Sequence, residues 1–135
     1  MPDVLIKLAL IGTFGAVGAM TRFGVNQLSI YLWGGNFPYG TLTVNILGCF
    51  LIGFISYLSA NSELVSEHWR ICLITGFLGA LTTFSAFGLE TYDLFEFSGY
   101  EKALLAAGNI AANVGLGLLA VVGGVSLARF FVGGG

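Results

Sequence analysis

Four stretches of the chain carry no Asp, Glu, Lys or Arg: Leu8–Thr21, Phe23–Ser62, Ile71–Leu89 and Ala103–Ala128. A helix needs about 20 predominantly apolar residues to cross a bilayer. With their flanks, these runs supply that length. The second run is long enough for more than one crossing and is cut by "WGGNFPYG" (Trp33–Gly40), whose glycines, Asn36 and Pro38 read as a turn. The pattern therefore predicts four spans, about Val4–Leu32, Thr41–Ala60, Arg70–Phe95 and Lys102–Phe131. They make an all-α integral membrane protein with one four-helix transmembrane domain over residues 1–132, followed by a flexible Gly tail at 133–135.

Composition strengthens this picture. Of the 135 residues, 56% are hydrophobic and 9% charged, where a soluble domain carries about a quarter charged residues. Few basic residues precede Val4, and no small-residue cleavage site leads into a polar segment, so the first span reads as a permanent helix and not as a removable signal. The net charge of −2 decides little; the placement of Lys and Arg says more. With four spans, Lys7, Arg70 and Arg129 fall on one side, and Arg22 and Lys102 on the other. A bias in these residues is what orients a membrane protein, and three against two is almost none. The chain can insert both ways up, which makes an antiparallel homodimer possible.

Chemistry is sparse. Cys49 and Cys72 lack metal or redox spacing and read as apolar packing. His68 lies beside Glu67 and Trp69 in the polar 2–3 loop, and no nucleophile–base pair is visible, so an enzyme is not indicated.

The polar residues inside the spans are more informative. In span one, Gly12, Gly15 and Gly18 with Ala16 and Ala19 permit close helix packing. That span is roughly 43 Å long. Arg22 falls toward its far end, where it either snorkels to the headgroups or draws anions into a vestibule. In span two, Thr41, Asn45 and Gly48 share one helix face. Asn45 lies deep, so its amide either bonds across to another helix or offers its donors to a polar path. Asn109 and Asn113 sit at i and i+4 in span four with Gly117 on the same stripe, as in a lining. Span three holds "GFLGALTTFSAF" (Gly76–Phe87), with adjacent Thr82 and Thr83, then Ser85, and Phe84 and Phe87 three apart. This cluster predicts a third helix broken mid-membrane, because non-helical backbone survives there only where it is buried or lines a cavity. A break frees carbonyls and N–H groups of the kind that hold ions. The two phenyl rings form an ordinary packed pair or turn their positive edges to an anion.

Three segments together, "GTFGAVGAMTRF", "PYGTLTVNILGCFLIG" and "GFLGALTTFSAFGLE", resemble the Fluc (CrcB) family of fluoride channels in order and spacing. The likeness implies a dual-topology homodimer of antiparallel subunits in the cell's inner (plasma) membrane, with two pores that export fluoride passively and so confer fluoride resistance. By that likeness Phe84 and Phe87 present ring edges to the ion, Asn45 is the pore asparagine, and Thr41, Thr83 and Ser85 line the polar path. Gly79 and Thr82 supply backbone carbonyls to a structural Na+ at the dimer centre. Arg22 matches the family's arginine after the span-one glycines, and Glu90 its glutamate after the second phenylalanine. Span four departs from the family: Asn109 and Asn113 fall where Tyr or His and then Ser are usual, and amides keep the capacity to donate. The alternative function is a small multidrug-type, proton-coupled cation antiporter, for which Glu90 is the only acid at suitable depth. A structural membrane subunit, with its polar faces as interhelical glue, is a third reading.

Overall fold

A computed structural model describes residues 2–96 and 100–133. Residues 134–135 of the expected Gly tail lie outside the described residues, and Gly133 closes the last helix. All described elements are helical. Helix α1 is Pro2–Trp33 and α2 is Tyr39–Asn61. Helix α3 covers residues 67–81, as an α-helical turn at Glu67–Arg70, a wider π-wound stretch at Ile71–Leu78 and a last α turn at Gly79–Leu81. Helix α4 is Phe84–Glu96. Helix α5, Tyr100–Gly133, contains a second π-wound stretch at Ala112–Leu116. Four segments are long and apolar enough to cross a membrane: Asp3–Trp33, Tyr39–Asn61, Glu67–Glu96 and Tyr100–Gly133. The protein is thus a multi-pass membrane protein.

The turns follow from local chemistry. Gly34 takes φ 75°, a conformation that side chains disfavour, and its N–H bonds the Ile30 carbonyl at 2.9 Å to end α1. Aromatic residues gather there: the rings of Trp33 and Phe37 lie 5.7 and 4.8 Å from that of Tyr39, as befits a membrane–water boundary. At the opposite end Lys7 meets Glu67 at 3.5 Å, and His68 meets Asp3 at 3.8 Å. The start of α1 and the start of α3 therefore share one end of the bundle.

Helices pack through small residues, as the absence of a hydrophobic drive within lipid requires. Helices α2 and α5 make the most extensive contact. A Cβ on Gly124 would collide with the Phe50 carbonyl, and one on Gly53 with the Val121 carbonyl. Of the span-one glycines, Gly18 presses on the Phe77 carbonyl and Gly15 makes ordinary contact with α3, whereas Gly12 has no neighbour within 4 Å. Close packing thus applies to the C-terminal part of that motif.

The interior is small: Val44, Leu78 and Leu81 form its centre, flanked by Val25, Leu51, Ile55 and Phe77. The surface is large, at 8465 Å², where a compact soluble monomer of this size exposes roughly 6,800 Å². Many large apolar side chains along the helices are exposed, among them Met20, Phe23, Leu118 and Phe130.

Candidate functional site

One α-helical element ends at Leu81 and the next begins at Phe84, near the middle of the 30-residue segment Glu67–Glu96. Thr82 is extended, at φ −79° and ψ 156°. The cause lies on α2. The amide proton of Thr83, which an unbroken helix would place on the Gly79 carbonyl, goes to Asn45 Oδ1 at 2.9 Å. Asn45 Nδ2 returns a bond to the Thr83 carbonyl at 3.2 Å. Thr83 then starts α4: its Oγ1 accepts the Ala86 N–H at 3.2 Å, a side-chain cap at the third helical position. Thr82 N–H and Thr82 Oγ1 both bond the Leu78 carbonyl at 3.0 Å, finishing α3. Gly48 makes room for the turn, because a Cβ there would strike Thr82 Cγ2.

Beside this turn lies a groove of about 340 Å³. Asn45, Thr82, Thr83 and Asn113 supply its polar wall, and Phe84, Phe87 and Leu78 much of its apolar wall. Gly79 lines it as well, and among the described residues no charged side chain does. The rings of Phe84 and Phe87 are 5.6 Å apart and tilted by 51°. Phe84 is 83% exposed, far more than an aromatic packed into its own chain. Both π-wound stretches border this groove, through Ile74 and Leu78 on α3 and through Asn113 and Val114 on α5. Wide turns of this kind recur at functional sites because they re-aim side chains locally.

The two span-four asparagines join the same assembly. Asn45 Nδ2 donates to Asn113 Oδ1 at 2.9 Å, and Asn113 Nδ2 donates to Asn109 Oδ1 at 2.9 Å. Asn109 is fully buried behind the groove and donates to Thr91 Oγ1 at 2.9 Å. Thr91 was not singled out from the sequence. Its only advance signal is its place one turn after Phe87, whose carbonyl its hydroxyl bonds at 2.7 Å. Ser85 is exposed, with its Oγ 3.4 Å from Thr83 Oγ1.

Thr41, Glu90 and Arg22 stand apart from the phenylalanine groove. Thr41 Oγ1 donates to Glu90 Oε1 at 2.7 Å. Both residues line a second cavity, of about 530 Å³, with Asn26, Asp93, Glu101 and Lys102. Arg22 reaches back toward the turn, its Nη1 3.5 Å from the Thr82 carbonyl. Asn26, one helical turn beyond Arg22, is another residue that sequence reasoning passed over. Its Oδ1 is buried and packs against Gly40.

Residues 9–125 match the model of the family described as "CrcB-like protein, Camphor Resistance (CrcB)". The chain is similar to a protein of Dehalococcoides mccartyi, 46% identical over 90% of this chain and 91% of the relative. It is also 43% identical to a protein of Rhizobium johnstonii, over 93% and 98% of the two chains, and 41% identical to one of Clostridium novyi, over 94% and 97%. Each of these relatives is named fluoride-specific ion channel FluC.

Proposed function

The chain belongs to the CrcB-like protein family, and we propose that it is a fluoride-selective channel that lets the ion leave the cell passively. It is a transporter and not an enzyme. The observation that carries this reading is the groove at the Thr82–Thr83 turn, which combines amides, hydroxyls and two phenyl rings without a lining charge. Fluoride is small and strongly hydrated, so a path for it must replace water by many weak donors. A fixed Lys or Arg there would hold the ion too tightly to release it. Thr83 and Ser85 hydroxyls can rotate toward an anion, and the positive ring edges of Phe84 and Phe87 add attraction without a full charge. Asn45 and Asn113 stand next to these rings.

One copy leaves the groove open and Phe84 bare, and many other large apolar side chains are exposed along its helices. We propose that a second, antiparallel copy covers the part of this surface that lipid does not, giving two pores. The near-balance of Lys and Arg across the two sides allows both orientations. The interruption of the third segment then lies at mid-bilayer, and the membrane is the cell's inner (plasma) membrane.

A structural Na+ at the centre of that dimer fits this chain in one respect. The Gly79 carbonyl has lost its usual helical donor to Asn45, whereas Arg22 Nη1 stands 3.5 Å from the Thr82 carbonyl and would have to move aside for a cation to bind there. Two carbonyls are too few for a hard cation, which takes about six oxygen ligands, so the remainder must come from a second copy and from water. The ion would hold the copies together and take no part in conduction.

Growth tests this function. A bacterial host stripped of its own fluoride export should regain growth in fluoride when it expresses this chain. It should not regain it with the Phe84→Ile variant expressed at the same level. Failure of the unaltered chain to protect, despite normal membrane insertion, would contradict the reading.

A further inference from the structure

Thr91, Asn109, Asn113 and Asn45 form one directed run of hydrogen bonds between α4, α5 and α2. Thr83 N–H gives its proton to Asn45 Oδ1, Asn45 Nδ2 to Asn113 Oδ1, and Asn113 Nδ2 to Asn109 Oδ1, each at 2.9 Å. Asn109 Nδ2 gives to Thr91 Oγ1 at 2.9 Å, and Thr91 Oγ1 gives to the Phe87 carbonyl at 2.7 Å. Every link points the same way.

The two ends fix that direction independently. An amide can be turned end for end with little change of shape, so its orientation must be argued from its partners. At one end, the single hydroxyl proton of Thr91 is committed to the Phe87 carbonyl, leaving only acceptor capacity toward α5. A buried Asn109 can therefore face it only with its NH₂ group, which turns Asn109 Oδ1 toward Asn113 and requires a donor there. At the other end, Thr83 N–H lacks a helical acceptor and requires Asn45 to present its oxygen. Both demands select one polarity. Thr91 is 8% exposed and Asn109 0%, so water does not stand in for a missing partner.

We propose that Thr91 is a positioning residue for conduction: its hydroxyl sets which way Asn109 faces and, through it, keeps Asn113 Oδ1 turned toward Asn45 Nδ2 at the groove. This rests on the reading of the groove as the fluoride path. An anion arriving there accepts a hydrogen bond from Asn45 Nδ2 in place of Asn113 Oδ1. With Asn109 and Asn113 reversed, Asn45, still held by the Thr83 peptide, would face an N–H group of Asn113 in place of its oxygen. Without the Thr91 hydroxyl, Asn109 loses its reason to face one way and Asn113 Nδ2 keeps only the Asn109 backbone carbonyl, at 3.0 Å, while the Thr83 peptide still holds Asn45.

The test compares Thr91→Val, close in shape but lacking the hydroxyl, with Thr91→Ser, which keeps it. Two readouts are taken on each folded protein: fluoride efflux from liposomes, and the side-chain amide signals and hydrogen exchange of the three asparagines by NMR in detergent. Loss of one buried hydrogen bond corresponds to roughly tenfold in an equilibrium. Thr91→Val should therefore speed amide exchange at Asn109 and Asn113 by about that factor, shift the Asn45 signal, and cut fluoride flux by a similar factor. Thr91→Ser should restore both. Unchanged amides and flux in Thr91→Val, or equal impairment in both variants, would overturn the proposal. If Thr91→Val does not fold, the unaltered protein still decides: Asn109 Nδ2 protons should show contact with the Thr91 side chain, and an Asn109 oxygen on that side would overturn it. Absent fluoride flux from the unaltered protein would instead sink the channel reading, which separates the two failures.

Discussion

Asn45 and Thr83 are bonded in both directions, side-chain amide to backbone peptide, at 2.9 and 3.2 Å. The pair occupies both backbone polar groups of Thr83 at the point where the helix stops, and it ties α2 to the turn between α3 and α4. Asn45→Ala removes both bonds and should cost about 1–3 kcal/mol for each buried group left alone. Asn45→Asp keeps the acceptor for Thr83 N–H but places a carboxylate against the Thr83 carbonyl and Asn113 Oδ1, so it should be at least as damaging. Thermal unfolding in detergent checks the ranking. A stable Asn45→Asp would contradict the assigned amide orientation.

The phenylalanine rings carry a separate prediction. Phe84→Ile and Phe87→Ile keep apolar bulk but remove the positive ring edge. Each should reduce fluoride flux several-fold or more while the protein elutes on size exclusion as the unaltered protein does. Unchanged flux in both variants would remove the rings from the mechanism.

Packing predicts a contrast between two glycines on α5. Gly124→Ala drives a Cβ into the Phe50 carbonyl, backbone against backbone. It should destabilise by about 1–3 kcal/mol. Gly108 has no neighbour within 4 Å, so Gly108→Ala should be neutral or gain up to about 1 kcal/mol from helix propensity. Melting temperatures of the two variants test this directly.

Sodium should matter to assembly. Replacing Na+ by a bulky organic cation during purification should weaken the dimer. An ion present at 100 times its dissociation constant contributes about 2.7 kcal/mol to the state that binds it. Dimer dissociation followed across a sodium titration is the check. A dimer of equal strength in either salt, or full activity in lithium alone, would count against the central ion.

The four spans were legible because long runs without charge allow few other structures, and the 33–40 turn because Gly and Pro cluster there. The shared face of Thr41, Asn45 and Gly48 was legible from helical spacing, and each of the three meets the segment 82–90. What spacing does not encode is the partner. Asn45 read more as a donor to a polar path than as an interhelical bond, and here both of its N–H groups are on protein acceptors. Asn109 and Asn113 share a stripe, yet only Asn113 reaches the groove, while Asn109 is fully buried. The π-wound stretches at Ile71–Leu78 and Ala112–Leu116 leave no pattern in hydropathy, because widening a turn changes the aim of side chains and not their type. Thr91 went unnoticed for a related reason: a threonine on a helix commonly bonds its own backbone, and its second role depends on where α5 passes.

The most direct test is efflux of fluoride and chloride from liposomes holding the purified protein, read with ion-selective electrodes and with no proton gradient applied. Rapid fluoride release with chloride retained is the predicted result, and it should persist in a buffer that clamps pH on both sides. Absence of fluoride release from demonstrably folded protein would contradict the channel. So would transport of a lipophilic cation that needs an opposing proton gradient and is lost in Glu90→Gln, because that result identifies an antiporter.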